Sequence, residues 1–283
     1  MGFSKYLTLQ NVGIKILKKN KIENPEIETE ILLSEILGIE RYQIYTEKIE
    51  LSKKIEKKFL KFIKQRVRRI PLQYIIKKTY FFDTQLKIEK GVFIPRPETE
   101  LLVEKIIKIY KENFLPESVK ILDIGTGCGN IAICLAKNIE NSYVIGIDIS
   151  KKSLKIAKEN ARLNNVENKI NFKYSNLFSN INDNFDIIVS NPPYISENEY
   201  PSLSKEIKYE PKRAIIGGKD GLKIIKKILK ECPKFLKNNG YLILEVGYKQ
   251  SDKIKEIKSN KLTLISIEKD LQGYERVMVF KKN

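Results

Sequence analysis

The hydrophobic pattern changes period near residue 77. Upstream, apolar positions recur at helical spacing. Residues 27–37 predict an amphipathic helix, opened by Pro25-Glu26 and stopped by Gly38. Residues 53–69 carry Ile55, Phe59, Phe62, Ile63 and Val67 on one stripe behind a Ser52 cap. Downstream, Tyr80-Phe81-Phe82 and Leu86-Lys87-Ile88 predict a short hairpin. Beyond residue 98, strands and helices alternate. Apolar runs at 119–124, 143–147, 170–174, 185–190 and 241–245 read as buried strands. Helices are predicted over 99–111, 130–137 and 151–163, the last capped by Ser150. Residues 262–267 and 276–280 predict a closing antiparallel pair. The expected fold class is therefore α/β: a mostly parallel, seven-stranded, doubly covered sheet behind a small N-terminal helical domain. The expected division is 1–76 helical, 77–98 hairpin linker and 99–283 sheet domain.

Candidate chemistry falls at the carboxyl ends of the predicted strands, where such sheets bind ligands. The first run ends in Asp123-Ile124-Gly125-Thr126-Gly127-Cys128-Gly129, directly before a helix. Strand, glycine turn and helix N-terminus make a nucleotide cradle. The third glycine comes one residue too early for the dinucleotide fingerprint, and no Lys-Ser/Thr follows to grip a phosphate. Asp-x-Gly-x-Gly-x-Gly is the pattern of S-adenosylmethionine enzymes, whose ligand has no phosphate. A tight turn in an ordinary α/β unit is the plain alternative. The next strand ends in Asp148, an acid placed to accept both ribose hydroxyls. Helix-start chemistry is its plain reading, but Ser150 already fills the cap role.

The run 185–190 ends in Asn191-Pro192-Pro193-Tyr194. Each proline fixes φ and removes an N–H, and Asn191 is held extended before Pro192. The Asn191 side-chain oxygen and the Pro192 carbonyl can then accept both N–H groups of a planar –NH2 beside the Tyr194 ring. A Pro-rich turn after a core strand is the alternative.

In order along the chain, these motifs resemble the release-factor glutamine N(5)-methyltransferases, the HemK/PrmC type. The resemblance covers about residues 70 to 280. Its most specific segment is Phe93-Ile94-Pro95-Arg96-Pro97-Glu98-Thr99-Glu100-Leu101-Leu102, reinforced by Pro71-Leu72-Gln73-Tyr74. Tyr209-Glu210-Pro211, the stretch 217–222, Glu245-Val246-Gly247 with Gln250, and Gly273 with Arg276 follow. The Asn-Pro-Pro-Tyr loop alone is shared with enzymes that methylate adenine or guanine amino groups. The resemblance implies a Rossmann-like methyltransferase fold and S-adenosyl-L-methionine as cofactor, held by Gly125, Thr126, Gly127, Cys128, Gly129, Asp148, Asn176, Leu177 and Asn191. It implies Asn191, Pro192, Pro193 and Tyr194 as the substrate clamp, with Asn191, Pro192 and Tyr194 in the catalytic role. It implies the Gly-Gly-Gln glutamine of class I peptide chain release factors as substrate. The sequence departs from the family where Asn176 replaces a frequent Asp and Leu177 a sometimes-seen Trp, both near the adenine. Two other readings remain: a nucleic-acid amino methyltransferase acting on a flipped base, and a noncatalytic protein that keeps the cofactor fold.

Composition adds limits. The formal net charge of +18 invites nucleic acid as a partner. Lysine is spread along the whole chain, however, and Ile and Asn are also abundant, as A/T-rich codons would give. Solvated lysine faces account for the charge, and no stable nucleic-acid binding is required. A sharper reading makes Arg66, Arg68 and Arg69 a nucleic-acid contact; the plainer one gives them capping and pairing roles at a helix C-terminus. Three scattered cysteines and the absence of histidine exclude a Cys/His zinc site and a His-based triad, so no metal is expected. Reduced thiols, no signal-peptide pattern and no long apolar run point to the cytoplasm, with no membrane partner.

Overall fold

The structure, a computed structural model, describes residues 2–46, 51–257 and 259–283. It divides into two units. One takes the chain up to Lys77 together with Lys205–Tyr209; the other takes Lys78–Ser204 and Glu210–Asn283.

The smaller unit contains α1 (Gly2–Lys19), α2 (Pro25–Leu37), α3 (Gln43–Thr46), α4 (Lys53–Val67) and α5 (Leu72–Ile76). Leu17, Leu32, Leu33, Ile44, Phe59 and Ile63 form its buried core. The Ser52 hydroxyl caps α4 by accepting from the Ile55 N–H at 3.3 Å. Gly38 ends α2 at φ +69°, a conformation glycine adopts without steric cost. Gly13 is needed for space: a Cβ there would lie 2.5 Å from the Phe59 ring, so α1 and α4 meet only without a side chain.

At the basic end of α4, Arg66 and Arg69 take the pairing role. Arg66 is buried and donates to both Glu28 oxygens, Nε at 2.6 Å and one terminal nitrogen at 3.1 Å. Its other terminal nitrogen donates to Glu206 at 3.0 Å. Arg69 donates to Glu206 at 3.2 Å and to the carbonyls of Asn20 and Lys21, each at 2.9 Å. The Arg66 and Arg69 guanidiniums are thus engaged inside the unit, while Arg68 is exposed. The pairing also explains why Lys205–Tyr209 folds here rather than with the residues flanking it in sequence: Glu206 supplies the carboxylate, and the Tyr209 hydroxyl donates to the Arg68 carbonyl at 2.7 Å.

The larger unit begins with a hairpin, β1 (Lys78–Phe81) and β2 (Thr84–Lys87), followed by α6 (Glu100–Asn113). Then come β3 (Val119–Ile124), α7 (Asn130–Asn138), β4 (Ser142–Asp148), α8 (Lys151–Leu163), β5 (Ile170–Tyr174) and β6 (Phe185–Ser190). The chain ends with α9 (Lys223–Glu231), β7 (Leu236–Glu245), α10 (Ser251–Lys255), β8 (Leu262–Lys269) and β9 (Glu275–Lys282). The hairpin packs into this unit and is not a free connector. Phe81, Leu86 and Ile88 are buried, and the Asn160 amide pairs with both backbone groups of Lys87. Glu100 accepts from the Phe82 N–H at 2.8 Å, so an acid placed to complement a helix start also fastens the hairpin.

Seven strands form one sheet in the order β5-β4-β3-β6-β7-β9-β8. The first five in that order pair in parallel; β9 inserts antiparallel between β7 and β8. β7 starts earlier than its apolar run predicts, because Leu236 pairs with Phe185 across a register shift. Successive strands run outward in opposite directions from β3, toward β4 on one side and β6 on the other. That reversal opens a crevice at the strands' carboxyl ends. Among the described residues, no helix is long and apolar enough to cross a membrane.

Candidate active site

The crevice holds a cavity of about 290 Å³, near the lower bound of ordinary small-molecule sites. Its walls come from the turns after β3, β4, β5 and β6, together with Gly91, Phe93, Pro211, Arg213 and Ala214. Gly125, Gly127 and Gly129 have φ of +74°, +57° and +87°, where a side chain would strain the backbone. A Cβ on Gly125 would meet nothing within 4 Å, whereas one on Gly129 would press on Ile133 and Ala157. The first glycine therefore opens space at the ligand, and the third lets α7 pack against α8.

The cavity brings Gly125, Gly127, Cys128, Asp148, Asn176, Leu177, Asn191, Pro192 and Pro193 together. Three residues expected at the site stand behind its wall. Thr126 turns inward and donates to Asp123 at 2.6 Å. Gly129 is the N-cap of α7. Tyr194 sends its hydroxyl to buried Glu245 at 3.2 Å, and its carbonyl accepts from Gln250 at 2.8 Å. Cys128 is buried, its thiol pushed up to about 12 by that burial, so it is a wall and not a nucleophile.

Asp148 is held by the glycine loop itself. One carboxylate oxygen accepts from the Gly127 N–H at 3.0 Å, the other from the Ser150 N–H at 2.7 Å. Burial pushes this carboxyl up; those N–H groups and Arg213 pull it back. Each oxygen keeps a lone pair for a hydroxyl donor. At the far end, Leu177 sits at φ +51° in a turn closed by the Ser175 hydroxyl on the Leu177 carbonyl at 2.6 Å. The cavity's charged lining is one acid, Asp148, and one base, Arg213. A ligand with a vicinal diol and no phosphate fits that donor set, and S-adenosylmethionine is such a ligand. At the Asn191 end of the cavity, the Asn191 Nδ2 donates to the buried Thr99 hydroxyl at 2.9 Å.

The segment 93–100 has a structural task that its proline content did not disclose. The Arg96 guanidinium stacks over the Phe93 ring at 4.8 Å, donates to the Ile94 carbonyl at 2.8 Å and pairs with buried Glu210. Glu210 also accepts from the Ile94 N–H at 2.9 Å. This pairing ties together the two segments from which Phe93 and Pro211 reach the cavity wall. Sequence reasoning gave neither Phe93, Pro211 nor Arg213 a role at the site. The only signal for the first two was their membership of the family segments.

Two buried carboxyls behind the site carry a pH dependence. Burial raises Asp123 and Glu245 from ordinary values of 3.8 and 4.5 to about 7 each. A raised carboxyl contributes its stability fully below the unfolded value and loses it as pH rises through the folded one. Ligand-free protein is thus expected to lose this contribution between about pH 4 and pH 7. Glu245→Gln should reduce the slope of melting temperature against pH over that window. Thermal denaturation of both proteins in matched buffers checks it; identical slopes would clear Glu245 of any part.

Comparison with known proteins follows the same architecture. A methyltransferase-domain family model matches residues 115–279, and a PrmC N-terminal domain model matches residues 8–76. The chain is 40% identical over 282 residues to the release factor glutamine methyltransferase of Fusobacterium nucleatum subsp. nucleatum, covering 98% of this chain and 78% of that protein. It is 43% identical over 264 residues to the release factor glutamine methyltransferase of Buchnera aphidicola subsp. Schizaphis graminum, covering 93% and 94%. A solved methyltransferase from Pyrococcus furiosus shares the fold at TM-score 0.52 and 21% identity, over 71% of this chain and 90% of that one. Identity of this extent runs through both units, and the chain belongs to the release factor glutamine methyltransferase family.

Proposed function

We propose that this protein transfers the methyl group of S-adenosyl-L-methionine to the side-chain amide nitrogen of the Gly-Gly-Gln glutamine in class I peptide chain release factors. The observation that carries this reading is that Asn191, Pro192 and Pro193 share one cavity with the glycine cradle and Asp148. An amide held by the loop is thereby brought to the cofactor's side of the same small space. Bound adenosylmethionine supplies an electrophilic sulfonium methyl. The amide nitrogen is a poor nucleophile, since the resonance that delocalises its lone pair is reflected in a rotation barrier of about 18–20 kcal/mol. The protein's contribution is orientation: Asn191 and the Pro192 carbonyl accept the two N–H groups and aim the nitrogen. Such positioning lowers barriers by on the order of 7–11 kcal/mol. The nitrogen can release its proton after transfer, so the loop needs no general base.

Asp148 binds the ribose hydroxyls in this reading. Asp148→Ala should weaken adenosylmethionine binding by roughly 1.5–3 kcal/mol, the range for a hydrogen bond to a charged group. Calorimetry checks it, and an unchanged affinity removes Asp148 from the site. The substrate is tested by mass spectrometry of a class I release factor incubated with the protein and labelled cofactor. The expected label sits on the Gly-Gly-Gln glutamine and disappears when that glutamine is replaced. Label on DNA or RNA with none on the release factor would reverse the reading in favour of a base methyltransferase.

A further inference from the structure

The two ends of a carboxamide have the same shape, so its hydrogen-bond partners decide which end faces which way. For Asn191 that choice matters. Turned one way, it offers an acceptor to an incoming –NH2; turned the other, it offers two N–H donors and repels the same group. The backbone does not make the choice, because the prolines fix only the main chain.

Thr99 stands where the choice is made. It lies 92 residues from Asn191 in sequence, is 1% exposed, and receives the Asn191 Nδ2–H at 2.9 Å. A threonine hydroxyl can donate or accept, so Thr99 alone would tolerate either orientation. The structure makes the choice: the Asn191 Nδ2 is the atom that reaches Thr99, so the hydroxyl accepts there and Oδ1 is left for the substrate. We propose that Thr99 is a positioning residue for methyl transfer, fixing the Asn191 carboxamide with its oxygen toward the substrate amide. This rests on the reading of Asn191 as the amide clamp given above.

The test uses the full-length protein and intact release factor. Thr99→Val keeps the side-chain shape and removes the hydroxyl; Thr99→Ser keeps the hydroxyl. Thr99→Val is expected to lower kcat by roughly 10- to 100-fold, the scale of leaving one buried donor unpaired. KM for release factor should change far less, and adenosylmethionine affinity by calorimetry should be unchanged. Thr99→Ser should recover most of the rate, which a packing role would not produce. The double variant Thr99→Val with Asn191→Ala should be no slower than Asn191→Ala alone, because Thr99 acts only through Asn191. Wild-type kcat in Thr99→Val, equal losses in Val and Ser, or additive losses in the double variant would overturn the positioning role. Wild-type protein assayed alongside separates the two readings. If it fails to methylate release factor, the substrate reading falls and the Thr99 role with it; if it succeeds, only the Thr99 role is at stake.

Discussion

Replacing Asn191 with alanine is expected to reduce methyl transfer by about 100- to 1,000-fold, the range seen when one preorganised polar contact at a reacting centre is deleted. Adenosylmethionine affinity should stay near the wild-type value, because the cradle of Gly125, Gly127 and Asp148 is untouched. The lost contact acts on the substrate amide in its reactive orientation, so the effect belongs in kcat and not only in KM. Asn191→Asp should also be impaired. It keeps oxygen at both positions but loses the Nδ2–H that Thr99 receives, and it changes the charge and protonation of the clamp. Single-turnover rates with release factor, paired with calorimetric cofactor affinity, check both variants. Near-full turnover in Asn191→Ala would make the orientation mechanism wrong.

The contrast between Asn191 and Thr99 shows what a sequence can disclose. Gly125 to Gly129, Asp148 and Asn191 were legible because each sits at the end of a short apolar strand, and strand, turn and residue type are neighbours in sequence. The parallel sheet was legible for the same reason: a buried strand announces itself within six residues. Thr99 is visible in the sequence only as part of a family segment, since its meaning depends on a loop 92 residues away. Tyr194 belongs to the Asn-Pro-Pro-Tyr motif, yet its hydroxyl turns to Glu245, which no local pattern connects to it. The same limit hid the start of β7, where Leu236 is drawn into the sheet by Phe185. Lys205–Tyr209 was assigned to the sheet domain by its position in the chain and folds instead with the helical unit.

Arg66→Ala should strongly destabilise the helical unit, lowering its unfolding free energy by about 3–5 kcal/mol, as expected when one partner of a buried ion pair is removed. The asymmetry of the cluster locates the cost. Glu206 keeps Arg69 as a direct partner at 3.2 Å, but Glu28 loses both of its guanidinium hydrogen bonds. Burial already pushes the Glu28 carboxyl up against the pull of Arg66. Without Arg66 it must either stay charged and unpaired or take up a proton. Lowering the pH should therefore narrow the gap between wild type and Arg66→Ala, since a protonated Glu28 no longer requires a cation. A second change separates an orphaned charge from simple loss of packing. Arg66→Met combined with Glu28→Leu removes both charges and keeps apolar bulk, and it should recover a substantial part of the loss. Denaturant titrations of the three variants and wild type, read at two pH values, make the comparison. If the double variant is as unstable as Arg66→Ala at both pH values, the cost lies in lost side-chain packing and not in the charge left on Glu28.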